Sequence, residues 1–389
     1  MQQRFALVLL AGALVAVTLS TGCQKTIKPQ EKKPAKLVKL EQAAAVLSPV
    51  MSVSLPQGGG RFSKGVNKKD VPDLHVAQVG ELLVAASRSG VVSAYRGRQL
   101  LWSVDVKDVI SSGVGADDDV AIVGTRSGTV LSMNVQTGDI LWQQSLPSVS
   151  LASSVVIDDK VLLSTNDGVL YGLNKHTGKV IWQFGTQVPS VSVRGMAVPL
   201  YLNRREVVFG TADGRIHAIN PQTGTPLWTR RIGHAVGGSQ VHRMSDVDGV
   251  PLVVDNYLYV ASYSGQLMGF DMRTGQTIFA VSLASNKSLT ALDNLLIGTS
   301  LDGDVVAFDR LTGQEVWKNS ELKYRKLTNP IAIGDYVAVG DLDGVIHIFN
   351  NVGKIVSRTE TKGQLTSLHT QNRHLYTQTG DGVVNVWQF

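Results

Sequence analysis

The sequence predicts an all-β chain folded as an eight-bladed β-propeller of four-stranded antiparallel blades, and three observations carry the prediction. A turn glycine recurs at Gly90, Gly128, Gly168, Gly214, Gly265, Gly303, Gly344 and Gly382, at intervals of 38, 40, 46, 51, 38, 41 and 38 residues. A large aromatic recurs at Trp102, Trp142, Trp182, Trp228, Phe279 and Trp317, so that five of the six tryptophans share one repeat position; Ser357 takes that place in the next unit. Between glycine and aromatic sits a Thr–Gly pair, at Thr137-Gly138, Thr177-Gly178, Thr223-Gly224, Thr274-Gly275 and Thr312-Gly313. A period near 40 with short alternating strands is the mark of propeller blades, each packing on its neighbours around an axis.

The unit from Val161 to Trp182 justifies the strands one by one. Val161 to Thr165 is aliphatic and β-branched, as a buried strand requires. Asn166-Asp167-Gly168 supplies a positive-φ turn, Val169 to Asn174 alternates, and Thr177-Gly178 closes a second turn before Lys179 to Trp182. One such meander cannot bury its own faces, so the recurring aromatics read as packing between blades, not as a platform for substrate. Ring closure is legible as well. Val50 to Leu55 matches Ile278 to Leu283, with Met51 in the aromatic's place, while the last repeat runs to Phe389 without an outer strand. The N-terminal segment is therefore expected to supply that strand.

Upstream, the expected organisation is a signal peptide over 1–22, a lipidated Cys23 with a flexible Lys-rich tether over 23–49, and the propeller over 50–389. Arg4 precedes an apolar run from Phe5 to Val17, too short to span a bilayer. Ser20-Thr21-Gly22-Cys23 follows, holding the only cysteine of the chain. A lone cysteine in an oxidising compartment invites unwanted pairing, which favours a modified residue. The formal charge is +6, of which Lys25 to Lys39 supplies +5 and Arg4 the rest, so residues 40–389 are neutral. The basic balance belongs to the tail, and nucleic acid is not an expected partner.

The intervals of 46 and 51 mark two extensions at the same point of consecutive repeats, Gly185 to Arg205 and Arg231 to Asn256. Insertions on one face of a repeat array are where such scaffolds bind. Val191, Val193 and Arg194 on one extension, with Asp246 and Asp248 on the other, are the candidate partner-binding residues. An arginine ringed by apolar side chains has the composition of an interface hot spot. The alternative is that Arg194 pairs with Asp246 and Asp248 inside the chain and stiffens the loops.

Catalytic signatures are missing: the sequence holds no Gly-x-Ser-x-Gly, no phosphate-binding P-loop and no His-Glu-x-x-His. His217 and His347 share a repeat position occupied elsewhere by Tyr171 and read as tolerated packing or surface residues; Asp117-Asp118-Asp119 reads as a turn.

The unit Ala218-Ile-Asn-Pro-Gln-Thr-Gly-Thr-Pro-Leu-Trp228, repeated as Ala307-Phe-Asp-Arg-Leu-Thr-Gly-Gln-Glu-Val-Trp317, resembles the repeat of quinoprotein dehydrogenases. Those enzymes are much longer and carry adjacent cysteines and a calcium-bound quinone, so the resemblance implies the fold and no cofactor. A quinone- or sugar-binding propeller enzyme that uses its central channel is the second reading. Signal, Cys23, tether and eight blades together resemble the propeller lipoproteins of the outer-membrane β-barrel assembly (Bam) machinery. Small residues before a cysteine resemble the lipoprotein cleavage site, although Ser20 stands where leucine is usual, and Gln24 after the cysteine implies the outer membrane. The resemblance implies a non-enzymatic scaffold facing the periplasm. It would bind the POTRA domains of the barrel protein BamA, join other Bam lipoproteins, and present nascent outer-membrane proteins as a further class of partner. It also implies that Ser192-Val193-Arg194-Gly195 and Ser245-Asp246-Val247-Asp248 face BamA.

Overall fold

Eight blades of four antiparallel strands are arranged in a ring in the computed structural model, which describes residues 32–58, 74–189, 197–233 and 244–389. Seven blades are contiguous in sequence, spanning 77–105, 115–145, 155–185, 200–231, 252–282, 290–319 and 331–360. In each, the four strands pair in chain order and are called a, b, c and d, with strand a nearest the axis and strand d on the rim. The eighth is shared between the ends of the chain: Ser48–Ser54 pairs with Val383–Gln388, which pairs with His374–Thr379 and then Leu365–Gln371. The closure expected from the sequence is thus realised, and Met51 is buried opposite Val386 in the place that an aromatic holds in other blades.

The repeat motif has a physical account. All eight glycines of the b–c turns have φ between 78° and 104°, where a side chain would be strained. Residue Asn134 accepts the N–H groups of Gln136 and Thr137 through Oδ1, and Asn174 and Asp309 repeat this at the c–d turns of blades 3 and 6. The Thr–Gly glycine then lies under the previous blade's aromatic. A Cβ on Gly178 would come within 2.5 Å of Trp142, and one on Gly313 within 2.6 Å of Phe279. The indole N–H completes the joint: Trp102 donates to Val135 O at 2.9 Å, Trp142 to Lys175 O at 2.7 Å and Trp182 to Pro221 O at 3.0 Å. These aromatics are packing residues, as expected.

Every blade also carries a register shift on strand d just before the aromatic position, so that one residue is left without an opposite partner. A bulge bends and twists the rim strand, which turns the edge away from flat pairing with another chain.

One expectation is revised, and one left open between packing and surface is decided. Of the tether read over 23–49, the part from Ala35 to Leu47 lies against the propeller: Leu37 and Leu40 pack on the blade 6–7 core, and Val46 and Leu47 on the blade 7–8 core. Apolar side chains spaced among lysines account for this, since a strap needs only one buried edge. Residues His217 and His347 are both buried and neither is a surface residue. His217 stacks on Phe209 at 5.6 Å and hydrogen-bonds Thr229 Oγ1 at 3.0 Å. His347 belongs to a buried ionic chain described below.

Candidate functional site

The two long extensions are the d–a connections from blade 3 to blade 4 and from blade 4 to blade 5, on the face that carries the b–c turns. Val191, Val193 and Arg194 lie outside the described residues, as does Cys23. The C-terminal part of the second extension is described, and it is built into the body of the ring. Val247 is buried in the blade 4–5 core and its N–H donates to Thr211 O at 3.1 Å, while Tyr263 N–H donates to Asp246 O at 2.8 Å. Two glycines make room for it. A Cβ on Gly210 would stand 2.2 Å from Val247 O, and one on Gly233 would stand 2.4 Å from Ser245 O.

The two aspartates therefore have different surroundings. Asp246 is fully buried. Asp248 is half-buried and faces the central channel. The next residues continue along the wall, with Val250 N–H donating to Ser288 Oγ at 2.9 Å and Gly249 close over Lys287 O.

The channel mouth on this face encloses about 880 Å³. Arg88 and Arg126 line it from the b–c turns of blades 1 and 2, and Lys287 and Lys326 from the connections on the other side. These residues were not singled out from the sequence, although each arginine stands two residues before an aligned glycine. The signal was there, but nothing in one repeat says that this position points at the axis.

A second charge cluster, between blades 2 and 3, is structural. The Lys175 ammonium bridges Asp117 and Asp119 at 2.5 Å each, so Asp117-Asp118-Asp119 is a turn tied to the next blade, as expected. Burial opposes the charge on Lys175, and the two carboxylates outweigh it and raise its pKa. Among the described residues no group of three or more His, Cys, Asp or Glu is placed to hold a metal ion.

Comparison with known proteins decides the family. The profile described as "Outer membrane protein assembly factor BamB" matches residues 88–319 and 301–389. The BamB of Salmonella typhimurium is 32% identical, with 97% of each chain covered, and that of Pseudomonas aeruginosa is 35% identical over 89% of each. The chain belongs to the BamB family. A crystal structure of BamB from Moraxella catarrhalis is 50% identical, superposes with a TM-score of 0.83, and covers 88% of this chain and 100% of that one. A europium-containing methanol dehydrogenase superposes with a TM-score of 0.65 at 13% identity, a likeness of fold alone. The BamB relatives are named as assembly factors and not as enzymes.

Proposed function

We propose that this protein is an outer-membrane protein assembly factor that works as a non-enzymatic scaffold, held to the membrane by lipid on Cys23 and facing the periplasm. Its partner is the BamA-like barrel protein, engaged through POTRA domains by the two extended connections. Family membership supports the assembly role. The observation that carries the partner face is the pair of consecutive long extensions, of which the second has its described C-terminal part, from Ser245 to Val247, packed into the ring. Val191, Val193 and Arg194 supply the apolar and bidentate contacts in this reading; Asp246 supports the loop from within, and Asp248 borders it on the channel side. Residues 1–22 act as the signal peptide.

Affinity purification from detergent-solubilised outer membranes tests this. The barrel assembly protein and the other lipoproteins of the complex should co-purify with the wild-type chain. Recovery of the propeller without the barrel protein would contradict the scaffold reading.

A further inference from the structure

Blade 7 departs from the repeat, and the N-terminal segment accounts for the departure. Its outer strand, Ile355–Glu360, carries Ser357 opposite Ile348, where other blades place an aromatic or Met51. Over that strand runs the segment 35–47. Ala44 N–H donates to Val356 O at 2.8 Å, and the Ser357 hydroxyl donates to Ala44 O at 2.7 Å. Upstream, Ala35 N–H reaches Lys323 O at 2.9 Å. Two arginines complete the attachment: Arg325 Nη1 donates to Ala35 O at 2.8 Å, and Arg358 Nη1 donates to Val38 O.

Those arginines are joined to each other through the core. Arg325 Nε donates to Asp341 Oδ2 at 2.7 Å, and its Nη2 to Asp343 at 2.5 Å. The same Asp341 oxygen lies 2.9 Å from His347 Nε2, and His347 Nδ1 lies 3.2 Å from Arg358 Nε. An arginine N–H can only donate, so Nδ1 is the acceptor and the ring is neutral, with its proton on Nε2 shared toward the carboxylate. Asp341 and His347 are both fully buried, and Asp341 Oδ1 also accepts the N–H groups of Asp343 and Val345 at 2.9 Å.

We propose that residues 34–47 form a strap latched to blade 7 by the Arg325–Asp341–His347–Arg358 chain, and that a proton on His347 releases it. Protonation at Nδ1 removes the acceptor of Arg358 and brings two cations together. The charged groups around the ring are Asp341, Arg325 and Arg358, with Asp343 paired to Arg325 and Glu321 acting on Arg358. Burial lowers the affinity of His347 for a proton, Asp341 opposes this, and both arginines add to the lowering. A histidine held below its ordinary value stabilises the folded arrangement at neutral pH and ceases to do so in acid. The latch is therefore at full strength above the ordinary histidine range and weakens as the pH falls below about 6.5.

Amide hydrogen exchange on the full chain, read at segment 35–47 and at the blade cores, tests the proposal. Protection of the Ala35 and Ala44 amides should fall by about tenfold or more between pH 7.5 and 5.5, after correction for intrinsic exchange, while core strands keep theirs. In His347→Gln, which cannot take up the proton, strap protection should not change with pH. Unchanged wild-type protection, or an equal loss in His347→Gln, would overturn the assignment. If His347→Gln does not fold, Arg358→Gln decides: it should free the strap at both pH values with core protection intact, and a protected strap in that variant would also overturn the proposal.

Discussion

Trp142 shows how much of this fold rests on single positions. Its ring covers Gly178 of the next blade and its N–H holds Lys175 O, while the Lys175 ammonium ties the Asp117 and Asp119 turn of Trp142's own blade. Gly178 has φ 71° and no room for a Cβ, so Gly178→Ala meets both backbone strain and the indole. The variant should lose roughly 1–3 kcal/mol in urea denaturation. Gly185→Ala, with nothing within 4 Å of the added carbon, should stay within about 0.5 kcal/mol of wild type. Equal midpoints for the two variants would mean that the interblade joint is not a stability determinant.

At the level of elements, the strand Ser48–Ser54 closes the ring, and the strap before it covers blade 7. A deletion of 24–33 should leave the melting temperature unchanged. One of 24–47 should lower it without causing association, since the closing strand remains. Removal through Ser54 should leave Val383–Gln388 as an unpaired edge and drive aggregation, visible by light scattering. Were all three to melt alike and stay monomeric, the closing strand would be dispensable.

The closing strand was legible in the sequence because Met51 falls on a repeat position. The strap was not. Leu37 and Leu40 are set among Lys36 and Lys39, a pattern that local reading assigns to a solvated tail, and their partners lie some 280 residues away in blades 6 and 7. Only Ser357, an aromatic position without its aromatic, hinted that something else crosses that rim. In the same way, interval length located the second extension, but the seating of Ser245 and Val247 depends on Gly233 and Gly210 leaving space, which no spacing rule conveys.

For the whole molecule, anchoring and partner binding are the two claims with consequences in the cell. On the proposed reading, in which lipid on Cys23 supplies the hold, Cys23→Ser should release the protein from membranes into the soluble fraction. Retention of this variant after a salt wash would point to another anchor. With the strap docked, the chain between Cys23 and Pro34 holds ten residues, far fewer than the tether expected from the sequence. Ten residues span at most about 33–36 Å when fully extended.

The partner face is tested most directly on Arg194→Ala, with affinity for the POTRA segment of the barrel protein and melting temperature measured on the same sample. Binding should weaken by about 2 kcal/mol or more, while Lys354→Ala, a distant surface change, should cost almost nothing. Melting temperature should barely move in either variant. A lower melting temperature for Arg194→Ala with unchanged affinity would contradict the account and make Arg194 a brace within the loops.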